Sequence, residues 1–203
     1  MKAAAGVRLA SIDALRGTTV AAMLLVNNPG DWSHVYAPLR HAPWHGLTPT
    51  DLIFPFFLFL VGVSLAFSVA PRAGDHSRRP ALARGVVQRA LRILLAGVAL
   101  HLLAWWLLSL PHFRLWGVLQ RIAVCAAVVG LMAVWLRPRA QWTVLGLALA
   151  VHAGVLVGAG SLQPWQDPGS RLDTALFAPW LYQNDAVSGR GHDPEGLLST
   201  LGS

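Results

Sequence analysis

Five apolar runs divide this chain. Each approaches or reaches the roughly 20 residues needed to cross a bilayer. They lie near residues 12–28, 52–70, 90–110, 115–136 and 141–160. The pattern predicts an all-α polytopic membrane protein of about five transmembrane helices. The second run is the cleanest, since Leu52 to Ala70 contains no charge; Asp13 and Arg16 interrupt the first. After the fifth run, Gly196-Leu197-Leu198-Ser199-Thr200-Leu201 reads as the opening turn of a sixth helix, with Asp193-Pro194-Glu195 as its start signal. Five spans and the start of a sixth predict a truncated protein, the N-terminal portion of a longer one. No repeat and no low-complexity linker appears, so residues 1–203 read as a single domain.

The polar stretches between the runs carry further helix signals. Thr48-Pro49-Thr50-Asp51 reads as a helix start, with Thr48 as cap, Pro49 in the first helical position and Asp51 at the third, in the manner of a capping box. Ser11 is a candidate cap for the first run, with Asp13 in its first turn. Asp13 and Arg16 are three apart and share a helix face. They read either as an ion pair at a capped helix end or as ionisable residues lining a site within a span.

The composition agrees with a membrane protein: 55% of the 203 residues are hydrophobic, only 12% are charged, and the mean hydropathy is positive. The formal charge of +7 could signal nucleic acid, but its distribution argues otherwise. Arg72, Arg78, Arg79, Arg84, Arg89 and Arg92 cluster between the second and third runs. Arg137 and Arg139 fill the fourth connection, and Lys2 and Arg8 precede the first run. This is the positive-inside pattern. It predicts a cytoplasmic N-terminus and a cytoplasmic, Pro-, Gly- and Arg-rich connection over 71–85. The segments 29–50, 110–115 and 161–196 are then outside, with the last folded over the outer face. The N-terminus is not a cleaved signal peptide on this reading, because Asp13 and Arg16 fall inside its apolar run and Asn27-Asn28-Pro29-Gly30 is a poor cleavage site. The single Cys125 excludes an internal disulfide and reads as a packing residue.

Chemistry concentrates in the outer loop. Between Val26 and Gly62 the chain carries Asn27, Asn28, Asp31, His34, Arg40, His41, His45 and Asp51. His41 stands beside a membrane helix entrance, and an imidazole is the natural base or acyl carrier at neutral pH. His34, His41 and His45 are also candidate zinc ligands, although Pro43 disfavours a helix between the last two. Gln120 and Arg121 lie near the outer end of the fourth run. Arg114 and Arg121 are seven apart, a spacing that would turn both into one cationic cavity, with snorkelling to the interface as the other use of Arg121. His101 and His152 sit at similar depth in apolar runs. They read as interior histidines or as a pair of haem ligands.

The segments SIDALRG, LLVNNPGDW, RHAPWHGLTPTDLIFPFFLFLVGVS, RLWGVLQRIA and DPEGLLST, in this order from about Arg8 to Leu201, resemble the heparan-α-glucosaminide N-acetyltransferase family. The resemblance implies a polytopic membrane acyltransferase with roughly twice as many helices. It implies transfer of an acetyl group from cytoplasmic acetyl-CoA to the amino group of a glucosamine across the membrane. It makes His41 the catalytic histidine and Asn27 its companion, with Asn28 as a competing candidate. Arg16, Arg114, Arg121 and Gln120 are then candidates for contacts to acetyl-CoA, and Asp13 and Asp51 for supporting the site, with no metal. The implied partners are membrane lipid, an amino-sugar acceptor and, as one arrangement, a second copy in a homodimer, with no nucleic acid. The implied location is a bacterial inner membrane. An amino-sugar permease without chemistry is the alternative.

Overall fold

The computed structural model describes residues 10–185 and 188–202. Lys2 and Arg8, which carry part of the orientation argument, lie outside the described residues. Among the described residues, seven α-helices follow one another: α1 (Ala10–Asn27), α2 (Ile53–Ser68), α3 (Arg79–Leu107), α4 (Val118–Trp135), α5 (Pro138–Val157), α6 (Pro168–Phe177) and α7 (Leu197–Leu201). A two-stranded antiparallel hairpin, β1 (Gln183–Asp185) and β2 (Arg190–His192), lies between α6 and α7, with Asn184 opposite Gly191. The architecture is all-α with this one small addition.

Among the described residues, four segments are long and apolar enough to cross a membrane: Thr50–Ser68, His76–Leu107, Val118–Trp135 and Pro138–Val157. They answer to the second to fifth expected spans. The first expected span does form a helix, α1, but it is not among the four. Asp13, Arg16 and the terminal Asn27 dilute its 18 residues. The third is longer than its apolar run. Its helix begins at Arg79, with Pro80 in the first turn, so half of the expected 71–85 loop is helical. Arginine is a good helix former, and Arg84, Arg89 and Arg92 extend the helix rather than end it.

Contacts gather into two compact units, Met1–Pro71 and Arg72–Ser203. In the first, α1 packs along α2, with Thr19 and Val26 buried from one helix and Leu60 and Leu65 from the other. In the second, α3 and α4 pack closely because small residues meet large ones. A Cβ on Gly130 would lie 2.7 Å from Val86, and one on Gly97 would lie 2.8 Å from Leu119. No residue of α5 is buried. The segment after α5 does not run free. Leu115 N–H donates to the Trp180 carbonyl at 3.0 Å and His112 Nε2 donates to that of Leu181 at 3.0 Å, which ties α6 and the hairpin to the approach of α4. Leu181 is fully buried there.

Candidate active site

The loop after α1 is built from short hydrogen-bonded turns. Asp31 caps one over Trp32–His34, accepting from Ser33 N–H at 2.9 Å and from His34 Nδ1 at 2.5 Å. A second covers Ala37–Leu39, and Arg40 Nε donates to the Val35 carbonyl at 2.8 Å. The chain then reverses at Gly46, whose φ of +121° suits glycine. The reversal returns Thr48 to Arg40, where the Thr48 hydroxyl donates to the Arg40 carbonyl at 2.7 Å. Thr50 closes the loop from below, buried and donating to the Pro38 carbonyl at 3.0 Å.

This folding brings His41 to Asp51. Nδ1 of His41 lies 2.6 Å from Oδ1 of Asp51. The other carboxylate oxygen accepts from Thr48 N–H at 2.8 Å and from Ala42 N–H at 3.2 Å. A carboxylate has no proton to give, so the neutral imidazole carries its proton on Nδ1 and presents Nε2 as a bare lone pair. Nε2 has no partner among the described residues, and 58% of the His41 side chain is exposed against 22% of Asp51. Asp51 therefore has two jobs. It accepts from Thr48 N–H as a capping-box carboxylate does, just ahead of α2, and it orients a histidine ten residues away. Helix-start signals point to the first job alone. Two backbone donors, the Thr48 and Ala42 N–H groups, hold Asp51 in place, so the histidine is positioned by a fixed partner.

The end of α1 separates the two asparagines. Asn28 Nδ2 donates to the Leu24 carbonyl at 2.9 Å and so caps the helix end. Asn27, the last helical residue, is exposed and its amide makes no hydrogen bond among the described residues. Arg16 Nε is buried without a hydrogen-bond partner among the described residues.

The candidate contacts from the second unit are differently placed. Arg114 precedes α4 in extended chain, so its seven-residue spacing from Arg121 is not two helical turns. Its guanidinium grips Asp193 through two bonds, at 2.6 and 3.1 Å, also bonds Glu195, and stacks 4.6 Å over the Tyr182 ring. Burial works against the Arg114 charge, but the two carboxylates outweigh it and raise its pKa. Burial likewise pushes the Glu195 carboxyl up. Arg121 donates to the Ser199 carbonyl at 2.8 Å and the Pro194 carbonyl at 3.4 Å, and Trp116 Nε1 donates to that of Glu195 at 2.5 Å. A CoA phosphate at Arg114 would have to displace two carboxylates. Gln120 is buried, donating to the Leu115 carbonyl at 3.1 Å, with Oε1 left without a partner.

Asp193 and Glu195, expected as a helix start signal, instead clasp Arg114. The N-terminus of α7 is held from elsewhere: Asp173 on α6 accepts from Leu197 N–H at 3.0 Å. The sequence clue to the clasp was the pairing of RLWGVLQR with DPEG, two charged motifs in connections predicted to lie on one side. His101 Nδ1 meets the Arg114 carbonyl at 2.8 Å and His152 Nδ1 meets that of Leu198 at 3.1 Å. Each ring thus fastens a helix to a neighbouring segment, which is the interior-histidine use. Among the described residues no three His, Cys, Asp or Glu side chains gather as a metal site, and His34 turns to Asp31 while His41 turns to Asp51.

The family model for heparan-alpha-glucosaminide N-acetyltransferase, catalytic, matches residues 8–182. The heparan-alpha-glucosaminide N-acetyltransferases of Mus musculus and Homo sapiens are each 32% identical to this chain over 127 residues, 62% of it and 19% of theirs. The aligned part thus spans about a fifth of the length of these curated relatives. With α1 to α6, His41 and most of the sequence inside that match, the chain belongs to the heparan-alpha-glucosaminide N-acetyltransferase catalytic family.

Proposed function

We propose that this protein transfers an acetyl group from acetyl-CoA to the amino group of a glucosamine-type sugar. The observation that carries the proposal is the His41–Asp51 pair, which leaves a bare, solvent-facing Nε2 on a histidine fixed through its other nitrogen.

The chemistry follows from that nitrogen. A sugar ammonium must lose a proton before its nitrogen can attack a thioester carbon. In direct transfer that first proton goes to solvent and the free amine attacks the thioester carbon; as the C–N bond forms, Nε2 takes the second proton from the nitrogen, the C–S bond breaks, and this proton passes to the departing CoA sulfur. In two-step transfer, Nε2 itself attacks the thioester, expels CoA, and hands the acetyl group to the amine. Both routes build negative charge on the thioester oxygen, and the unengaged Asn27 amide is the donor assigned to it. Asp51 stabilises the positive charge His41 gains. Arg16, whose Nε has no partner, is the remaining candidate for the CoA phosphates.

The arginine distribution supports an orientation with the His41 loop on the periplasmic side of a bacterial inner membrane and acetyl-CoA drawn from the cytoplasm. Membranes carrying the protein, supplied with radiolabelled acetyl-CoA and glucosamine, should yield labelled N-acetylglucosamine, and His41→Ala should abolish it. Label retained on the protein without acceptor would assign the two-step route. Sugar uptake into vesicles that needs no acetyl-CoA and survives His41→Ala would instead establish a permease.

A further inference from the structure

Helix α3 is too long for the membrane it crosses. Its 29 residues span about 44 Å, against a hydrocarbon core of about 30 Å. Counted back from Leu107, about 20 residues reach Gln88. Arg84 then lies one turn outside the hydrocarbon, and Arg89 and Arg92 lie within a turn or so inside it. Side chains on a helix lean toward its N-terminus, and long cationic ones snorkel. All three guanidiniums therefore reach the level of the lipid phosphates.

Arg84, Gln88 and Arg92 follow at i, i+4 and i+8 along one face, and Arg89 flanks Arg92 at i−3, toward the neighbouring face. All three arginines are exposed, and none has a carboxylate partner among the described residues. Val86 and Gly97, buried in this helix, face α4 instead. Alongside the arginines runs a second i, i+4, i+8 row of exposed apolar side chains, Val87, Leu91 and Leu95. A row of cations at phosphate depth beside an apolar ridge running into the hydrocarbon matches one amphipathic molecule: an anionic head with an acyl chain. A topology signal alone needs arginines on the right side of the membrane. It does not need them unpaired and beside a chain-width ridge.

We propose that the Arg84–Arg89–Arg92 face of α3 is a binding site for an anionic phospholipid, with its phosphate on the guanidiniums and an acyl chain along Val87, Leu91 and Leu95. The ridge favours a lipid over a free phosphate.

The test uses the protein in nanodiscs of phosphatidylcholine with a rising fraction of phosphatidylglycerol, and counts retained phosphatidylglycerol by native mass spectrometry. Half-occupancy should need about fivefold more phosphatidylglycerol for each arginine removed. The triple variant Arg84→Gln, Arg89→Gln, Arg92→Gln should lose the preference for phosphatidylglycerol over phosphatidylcholine. The triple variant Arg72→Gln, Arg137→Gln, Arg139→Gln removes the same charge elsewhere and should keep it. Lysine at 84, 89 and 92 should restore most of the retention. Equal loss in both glutamine variants, or none in the first, would overturn the site. Displacement of the lipid by millimolar inorganic phosphate would overturn the role of the acyl chain.

Discussion

Nδ1 of His41 donates to Oδ1 of Asp51 at 2.6 Å, across a ten-residue loop that carries no regular secondary structure of its own beyond single turns. Replacing Asp51 by Asn keeps the shape and removes the charge. It frees the histidine to place its proton on either nitrogen. Turnover should fall by about 10²–10³ while substrate affinity changes little, because the loss falls on orientation and on the charge that develops in the transition state. His41→Ala should remove activity outright. Acetyl transfer from labelled acetyl-CoA, with helicity checked by circular dichroism, measures both. An Asp51→Asn protein as active as the parent would show that the pair is only a helix start.

Asn27 and Asn28 should behave in opposite ways. Asn27 has no hydrogen bond to lose, so Asn27→Ala should leave thermal stability unchanged and lower turnover by about 10²–10³ if its amide serves the oxyanion. Asn28 caps α1 through the Leu24 carbonyl, so Asn28→Ala should weaken the helix end by about 1 kcal/mol with a modest effect on turnover. Turnover and unfolding midpoints measured on both variants decide the assignment. The reverse pattern would move the catalytic role to Asn28.

Much of this was legible in the chain and some was not, for physical reasons. Bilayer-length apolar runs announce themselves, so α2, α4 and α5 fall close to where hydropathy puts them. The start of α3 does not, because arginines that read as a topology signal also propagate a helix, and polarity reads as a loop. His41 was visible as an exposed base, but Asp51 read as a cap because its local signal, Thr48-Pro49-Thr50-Asp51, accounts for it. Nothing in that signal reveals the histidine folded back onto it by Gly46. Arg114 looked like a free cation because its partners lie 79 and 81 residues away.

Arg114 illustrates the energetic consequence. Its partners Asp193 and Glu195 are 1% and 18% exposed. Removing the cation strands two buried carboxylates, which costs about 3–5 kcal/mol. Arg114→Leu should thus lower the unfolding midpoint sharply, followed by tryptophan fluorescence through Trp116 and Trp180. Arg114→Lys should recover only part of it, since an ammonium cannot make the two-pronged bond to Asp193 or stack as well on Tyr182. A lysine variant equal to the parent would mean that charge alone matters there.

Gly196 and Asp173 meet at the start of α7, and their contact has a pH signature. A Cβ on residue 196 would sit 1.7 Å from Asp173 Oδ2, so Gly196→Ala should be destabilising by about 1–3 kcal/mol through displacement of the carboxyl. The carboxyl itself is pushed up to about 6 by burial, helped by Asp193 and Asp167 and opposed by the Leu197 N–H. Its value in the folded protein is above that in the unfolded chain, so the folded form holds the extra proton. The associated stability is fully present below about pH 4 and is lost as pH rises through 6, by up to about 2–3 kcal/mol. Glu195, also raised, acts with the same sign. Asp173→Asn keeps the acceptor for Leu197 N–H and removes the ionisation. Unfolding midpoints taken from pH 4 to pH 7 should therefore fall less steeply in Asp173→Asn than in the parent. Parallel curves would mean that Asp173 stays ionised in the folded protein, and that some other group holds the start of α7 in the acid range.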